Sequence, residues 1–251
     1  MEPEAIQRRA LRDILRWLAG ASEGASLWER DGVTAAAVPA TPERSIVNSV
    51  VYEGEPSLAA AHDDLLGFYA DAGVLAWSVW TPEHDTGAID LLTSRGHGFD
   101  GEPVAMTLDL EHFEPPDAGD LDWDAKASFA ELGMVNDEAY GYSHGQGIAG
   151  ALAREADGVP IRLYRAKRGG DTASVLGTID HDDDVGIYWV ATRERHQGNG
   201  LAGRLLAAAL AEGRNRGMRT SSLQSSAKGE TVYTRLGYAR QFRLHLYERR
   251  G

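Results

Sequence analysis

Residues 188–206 read YWVATRERHQGNGLAGRLL, in which an apolar segment leads into a polar loop and then into a helix-forming segment. The loop carries two glycines, Gly198 and Gly200, directly before the expected helix. The first N–H groups of a helix have no partner within it, and the helix dipole adds partial positive charge there. Glycines lack the Cβ atom that would hold a phosphate away from the backbone. The stretch predicts a strand, a loop suited to a pyrophosphate and a helix; a plain glycine-rich helix start is the alternative.

Two common phosphate-binding patterns do not fit this loop. No Lys-Ser or Lys-Thr pair follows the glycines, which excludes the loop of P-loop nucleotide hydrolases. There is no third glycine in dinucleotide spacing, and no Asp or Glu ends the next predicted strand, which argues against a Rossmann fold.

A resemblance to a known family favours the pyrophosphate-binding interpretation of this loop over a plain helix start. Residues 195–200, RHQGNG, resemble the (Gln/Arg)-x-x-Gly-x-(Gly/Ala) motif of the GNAT superfamily of N-acetyltransferases. Residues 231–238, TVYTRLGY, are similar to that family's closing motif, a Tyr followed by Leu-Gly-Phe/Tyr. One predicted helix and one predicted strand separate the two motifs, as in the family. The resemblance covers roughly Asp120–Gly251.

The resemblance implies that acetyl-CoA binds as a cosubstrate between two parallel strands, predicted at Gly186–Thr192 and Met218–Gln224. Backbone groups would pair with the pantetheine arm like an added strand, and the Val190 amide would donate to the thioester oxygen. Ser226 stands where many members have an Asn, which weakens that one contact. Arg204 is a further candidate for a phosphate contact, with solvent exposure as the alternative. The implied cofactor-binding residues are Val190, Ala191, Thr192, Arg195, His196, Gln197, Gly198, Asn199, Gly200 and Ser226.

Two residues are candidates for the proton transfers that acyl transfer needs. Tyr233 stands where the family places its general acid, and a tyrosine packed on the sheet is the alternative. Asp184 stands where some protein-acetylating members carry a glutamate base. The run Asp182–Asp184 is also typical of a solvated hairpin turn, which we favour.

A loop rich in tyrosine and glycine is the candidate acceptor-binding segment. It spans residues 138–145, between the first two helices predicted for this half of the chain, where the family often forms its substrate wall. Tyr140, Tyr142 and His144 are its candidate contact residues.

The N-terminal half repeats the same order of elements. It opens with an amphipathic helix that has Leu11, Ile14, Leu15 and Leu18 on one face, and Arg8, Arg12 and Arg16 in a stripe on another. Each half then shows a strand, a long helix, a glycine, a strand, a short helix and a final strand. We therefore predict an α/β fold of two tandem GNAT-like lobes, each a mixed central sheet flanked by helices.

The predicted boundary lies in the proline-containing linker His112–Asp120, which divides the chain into domains 1–114 and 115–251. In the N-terminal domain the loop Tyr52–Ser57 lacks the glycine pattern and carries Glu53 and Glu55. We expect a degenerate lobe there that binds no cofactor.

Composition narrows the function classes. The chain has 251 residues, no cysteine and a net charge of −13. The lack of cysteine excludes disulfides, thiolate metal sites and an acyl-cysteine intermediate, and we predict no metal. The acidic charge argues against nucleic acid as a partner and is compatible with a cationic amine. With no long apolar run and no signal-peptide pattern, we expect no membrane association and a cytoplasmic protein.

These observations together predict acetyl transfer from acetyl-CoA to a primary amine by direct attack. The acceptor is a small-molecule amine or a protein amine, and the sequence is compatible with a homo-oligomer. A non-catalytic acyl-CoA-binding regulatory module is the alternative.

Overall fold

The computed structural model describes residues 2–143, 147–152 and 161–251. Its helices are α1 (Pro3–Ala21), α2 (Glu55–Asp71), α3 (Thr86–Ser94), α4 (Phe129–Tyr140), α5 (Leu201–Asn215) and α6 (Glu230–Arg235). Its strands are β1 (Ser26–Arg30), β2 (Val33–Ala37), β3 (Ser49–Tyr52), β4 (Ala76–Pro82), β5 (Gly98–Gly101), β6 (Val104–Asp109), β7 (Asp122–Asp124), β8 (Ile161–Arg168), β9 (Asp171–His181), β10 (Asp184–Thr192), β11 (Thr220–Ser225) and β12 (Ala239–Arg250).

All of these strands join one mixed sheet. Its order is β1-β2-β3-β4-β12-β6-β11-β10-β9-β8-β7, with β5 pairing with β12 beside this path. Two neighbouring pairs are parallel, β3 with β4 and β10 with β11. Each is joined through a long helix, α2 or α5, because parallel neighbours need a crossover connection. The predicted α/β fold with a mixed sheet flanked by helices is confirmed.

The two halves of the sheet exchange strands. We call β1–β5 with the end of β12 the N-lobe, and β6–β11 with the start of β12 the C-lobe. The first part of β12, up to Arg243, pairs with β6, and the part from Leu244 onward pairs with β4. Strand β6 comes from the first half of the sequence but lies between β11 and β12. The boundary at residue 114 stays a prediction, and strand pairing crosses it.

Helix α1 packs between the two lobes. Its apolar face enters a core cluster that also holds Val38 and Val51 of the N-lobe and Val175 of the C-lobe. Trp17 is completely buried, with its ring 5.0 Å from that of Trp189. Because both lobes supply apolar surface to one helix, α1 ties them into a common core.

The other face of each half-sheet is covered separately. Helix α5 packs on the C-lobe through Leu205, Leu206 and Leu210. Helices α2 and α3 cover the N-lobe, with Leu58 and Leu92 fully buried.

The predicted elements are largely present, with a few differences. Strands β1, β5 and β7 were not predicted, because their residues are mostly exposed or half-buried and show no buried apolar pattern. The apolar pattern predicts a helix from about Ala125 to Ala139, whereas α4 begins at Phe129, after a capping box in which Ser128 and Glu131 bond each other's backbone N–H. Of the helix predicted near residues 146–155, the described part is a short 3₁₀ helix, Ile148–Ala151. No helix in the described part of the chain has the length and apolar character to cross a membrane.

Candidate functional site

Strands β10 and β11 pair only where they begin. Asp184–Gly186 lie beside Thr220–Ser222, and beyond these residues the two strands, both fully described, have no pairing with each other. They continue instead on their outer neighbours, β9 and β6. We call the space between them the strand gap. The predicted pantetheine-binding residues Val190, Ala191 and Thr192 lie on its β10 edge.

A β-bulge lies on that edge. The register of β10 on β9 shifts between Tyr188 and Ala191, so that Trp189 and Val190 have no register partner in β9. Trp189 has φ +51°, a conformation that is rare for a bulky residue and costs about 1–3 kcal/mol. Bulges redirect backbone groups away from the regular ladder. The bulge therefore leaves the backbone of Trp189 and Val190 outside the ladder with β9, on the edge of the strand gap.

The glycine loop leads from β10 to an uncapped helix. Gly198 has φ +76° and Gly200 has φ +69°, the left-handed region that favours glycine. Helix α5 begins after Gly200 without a side-chain cap, and the first helical bond at this end runs from Arg204 N–H to Gly200 O. The N–H groups of residues 201–203 thus have no partner within the helix. This arrangement provides donors and partial positive charge for a pyrophosphate.

Two polar side chains brace the loop. Gln197 Nε2 donates to Thr192 O at 3.1 Å, and Asn199 Nδ2 donates to His196 O at 3.1 Å and to Gln197 O at 3.0 Å. These side chains are therefore engaged in shaping the loop. The His196 and Gln197 N–H groups bond Arg193 O and Glu194 O, so the N–H groups of residues 198–200 are the better candidates for phosphate contacts. His196 Nε2 is buried and has no partner among the described residues.

The two arginines near the loop differ in the hydrogen bonds and ion pairs that they form. Arg195 is largely exposed and has two ion pairs, with Asp171 at 3.1 Å and with Glu138 at 3.7 Å. Arg204 donates to Ala118 O and pairs with Asp120 at 2.7 Å. Arg204 therefore holds the interlobe linker, which disfavours the phosphate contact considered for it.

Tyr233 lies in α6, half-buried, with its ring edge against Tyr238 at 5.9 Å. Its hydroxyl has no hydrogen-bond partner among the described residues, and burial, with Tyr140 nearby, raises the pKa of the phenol. A Cβ at Gly229 would come within 3.0 Å of the Tyr233 ring, so the glycine permits this close approach. Ser226 accepts a bond from Gly229 N–H and braces the same turn. Tyr233 is thus kept protonated with its hydroxyl uncommitted.

Asp184 does not lie in a solvated turn, so that part of the sequence interpretation was wrong. Asp182 and Asp183 form the turn, with Asp182 exposed at φ +56° and Asp183 half-buried. Asp184 is 2% exposed, and its two oxygens accept hydrogen bonds from Thr220 at 2.7 Å and Ser222 at 2.6 Å. Burial raises the pKa of this carboxyl, and the two hydroxyls oppose the rise. The carboxyl thus joins β10 to β11 where they pair.

Two buried contacts from α1 escaped the sequence analysis. Gln7 is fully buried and donates to Met106 O at 3.0 Å, while its oxygen accepts from Gln224 Nε2 at 2.7 Å. Gln224 follows the residues of β11 that pair with β10, and it lies beside the strand gap. The partners are more than 90 residues apart in sequence, so no local pattern signals the contact.

The second contact is a chain of hydrogen bonds. Tyr188 donates to Ala10 O at 2.8 Å, His181 Nε2 lies 2.8 Å from the same hydroxyl, and His181 Nδ1 lies 2.7 Å from Asp13. The His181 ring therefore lies between the Asp13 carboxylate and the Tyr188 hydroxyl, with one ring nitrogen within hydrogen-bond distance of each. Burial disfavours ionisation of Asp13, but the hydrogen bonds and charges of His181 and Arg16 together outweigh burial and lower the pKa of Asp13. This chain anchors the residue directly before the bulge.

The predicted acceptor loop lies at the interface of the lobes. Tyr140 ends α4 and is 56% exposed. The Arg44 guanidinium of the N-lobe stacks over the Tyr142 ring at 3.9 Å. His144 lies outside the described residues. Tyr140 and Tyr142 thus stand in one loop that reaches both Tyr233 and the N-lobe, and their substrate role stays a prediction.

The N-lobe counterpart of the glycine loop differs as expected. Gly54 precedes α2 with an extended backbone, φ −168°, and not the left-handed conformation of Gly198 and Gly200. The carboxylates of Glu53 and Glu55 stand at this helix start. Within the described ranges, no group of His, Asp and Glu is placed to hold a metal ion.

Comparison with known proteins agrees with this geometry. Residues 160–249 match the family model described as Acetyltransferase (GNAT) domain. This matched segment is similar to a GNAT acetyltransferase domain, and it includes the strand gap, the glycine loop and Tyr233. No curated protein sequence matches the chain.

Solved structures share the fold over nearly the whole chain. A GCN5-related N-acetyltransferase from Kribbella flavida superposes with a TM-score of 0.70 at 15% identity, covering 98% of this chain and 96% of that one. A tandem GNAT protein from the clavulanic acid biosynthesis pathway gives a TM-score of 0.64 at 13% identity, covering 100% and 97%. A conserved protein of unknown function from Staphylococcus epidermidis gives 0.66 at 15% identity, covering 89% and 93%. The fold that this chain shares with these proteins therefore extends over both lobes.

Proposed function

We propose that the protein is an N-acyltransferase that moves an acetyl group from acetyl-CoA to a primary amine in the C-lobe. One combination carries the proposal: a strand gap with a bulged edge, next to a glycine-led helix that begins without a cap. The bulge and the two left-handed glycines are strained or restricted features, which concentrate at functional sites.

The parts of the site fit the parts of acetyl-CoA. The pyrophosphate would meet the N–H groups of residues 198–203, whose helix dipole favours an anion. The pantetheine arm would pair with the open edge of Val190–Thr192 as an added strand. Ser226 is engaged with the α6 turn, so we assign it a bracing role beside the cofactor.

The chemistry is a direct attack. The amine nitrogen forms a bond to the thioester carbonyl carbon, the C–S bond breaks, and the electron pair goes to sulfur. The Val190 N–H would stabilise negative charge on the carbonyl oxygen. Tyr233 would donate its proton to the departing sulfur, since its raised pKa keeps the phenol protonated. We assign the removal of the ammonium proton to solvent, because Asp184 is buried with both oxygens engaged.

The acceptor is an amine that enters past Tyr140 and Tyr142. Because the protein carries a net charge of −13, a cationic amine is favoured near its surface over an anionic one. We extend the proposal to both small-molecule amines and protein amines.

Two measurements test the proposal. Calorimetric titration with CoA should show one site per chain, and thiol release from acetyl-CoA should appear with at least one of a panel of small amines and peptides. Failure to bind CoA overturns the proposal. Binding without thiol release across the panel replaces it with a non-catalytic acyl-CoA-binding module.

A further inference from the structure

The arginine stripe of α1 faces a cavity. Arg8, Arg12 and Arg16 line a groove of about 300 Å³ in the N-lobe, together with Arg30 of β1. The groove lies between α1, the β1–β2 hairpin and the end of β3. Its volume falls at the lower end of the range for small-molecule sites.

Two of these arginines are held by carboxylates. Arg16 pairs with Glu29 at 2.8 Å and Asp13 at 3.0 Å, and Arg8 pairs with Glu4 at 2.5 Å. These ion pairs fix one wall of the groove.

Arg12 and Arg30 have guanidinium N–H groups that form no hydrogen bond with the described residues. Arg12 has its nearest carboxylate, Glu53, at 3.9 Å, and Arg30 has Asp64 at the same distance. Neither guanidinium donates a hydrogen bond to another residue in the described part of the chain. Since Arg12 lies one turn from both Arg8 and Arg16, the like charges repel along the helix. An anion in the groove would relieve this repulsion and use the free donors.

A second, smaller space lies beside the groove. It measures about 50 Å³ and is lined by Leu11, Val51, Trp80 and Leu244 together with polar residues that include Glu4, Gln7 and Asp85. Arg8, Val51, Tyr52 and Glu53 line both spaces, so the two are neighbours.

We propose that the N-lobe binds a small organic anion here, with a carboxylate or phosphate on Arg12 and Arg30 and a short apolar group against Leu11 and Val51. The planar guanidinium matches either anion with two parallel hydrogen bonds. The site is separate from the strand gap and does not rest on the function proposed for the C-lobe.

Calorimetry on the full chain at constant ionic strength tests this with butyl phosphate, pentanoate and inorganic phosphate. One of the two butyl compounds should bind more tightly than inorganic phosphate, and which one does identifies the head group. Arg12→Gln and Arg30→Gln should each weaken that binding roughly tenfold or more, as expected for loss of a charged hydrogen bond.

Two controls decide the outcome. Arg240→Gln removes an exposed arginine paired with Glu230, outside the groove, and should leave binding unchanged. Gly198→Asp blocks the C-lobe loop and should also leave it unchanged. No binding of either butyl compound to the wild type, equal weakening by Arg240→Gln, or loss only in Gly198→Asp would overturn the proposal.

Discussion

The residues around Tyr233 pack its ring and leave its hydroxyl without a hydrogen-bond partner. Gly229 leaves room for the ring, Tyr238 supports its edge, and the described residues offer its hydroxyl no partner. Tyr233 is half-buried, so its hydroxyl stays free to donate its proton to a bound ligand. This is the pattern expected of a proton donor that meets its acceptor only in the ternary complex.

Tyr233→Phe should therefore lower kcat while acetyl-CoA affinity stays nearly unchanged. A positioned general acid contributes about 10²–10⁴-fold, so we expect a loss in or just below that range. Single-turnover transfer and calorimetry with CoA on the same variant measure the two effects.

Tyr69→Phe is the matched control, because Tyr69 is a buried N-lobe tyrosine whose hydroxyl also lacks a partner. It should leave kcat unchanged. A Tyr233→Phe enzyme within about threefold of wild type would reduce Tyr233 to a packing residue.

A second residue-scale feature is a buried histidine pair in the N-lobe. His97 Nδ1 donates to Tyr247 O at 3.2 Å, so its Nε2 must accept from His62 Nε2 at 3.1 Å. Both rings are neutral in this arrangement. Burial lowers the pKa of His97 to about 4 from its ordinary 6.5.

This pair should make the fold sensitive to acid. As pH falls below 6.5 the unfolded chain binds the proton and the folded chain does not, so stability is complete above that value and declines toward pH 4. At pH 5 the loss from His97 should be about 2 kcal/mol relative to pH 7.5. Urea unfolding at both pH values measures it.

The comparison variant is His97→Gln, whose stability should fall less between the two pH values than that of wild type. His84→Gln, at an exposed histidine, should behave like wild type. The same pH loss in His97→Gln and wild type would exclude the histidine pair as its source.

At the scale of elements, the two long helices that follow parallel strands start differently. Helix α5 follows left-handed glycines with no carboxylate in its first turn, whereas α2 follows an extended Gly54 and carries Glu55. A carboxylate at a helix start satisfies the same dipole and N–H groups that would otherwise attract a phosphate. The difference predicts one cofactor site per chain.

Gly198→Asp should weaken CoA binding by roughly a hundredfold or more, because an Asp strains the left-handed backbone and repels the phosphates. Gly54→Asp is the matched variant. Its extended backbone accepts a side chain and Asp is a favoured residue before a helix, so binding and fold should persist.

Calorimetry gives both stoichiometry and affinity for these variants. Two equivalent sites in the wild type, or equal effects of the two substitutions, would contradict the assignment of the site to the C-lobe.

For the whole molecule, the lobes are interdependent. Strand β6 fills a C-lobe position next to β11, and α1 covers the C-lobe face that carries Tyr188 and His181. Without them, β11 would lose its neighbour and the core cluster would lose one side. Exposed strand edges and apolar faces favour aggregation.

Residues 115–251 produced alone should therefore fail to fold cooperatively. Circular dichroism and size-exclusion chromatography would detect this as a lost thermal transition and aggregation. Co-production with residues 1–114 should restore a soluble complex. Cooperative unfolding of the isolated fragment near the temperature of the full chain would show instead that the C-lobe is independent.

Much of the fold was accessible from the sequence. Apolar periodicity located α1, α2 and α5, and the glycine motifs located the loop and α6, because these signals depend on residues within one turn or one strand. The parallel pairing of β10 with β11 was implied by the resemblance to the GNAT superfamily.

Contacts between distant segments were decided only in the tertiary structure. The Asp182–Asp184 run reads locally as a solvated turn, yet Asp184 is buried because Thr220 and Ser222 arrive from β11 to bond it. The exchange of β6 and β12 also has no local signature, since either strand suits either sheet position. Short-range patterns state which face of an element is apolar, but they do not state which distant surface covers it.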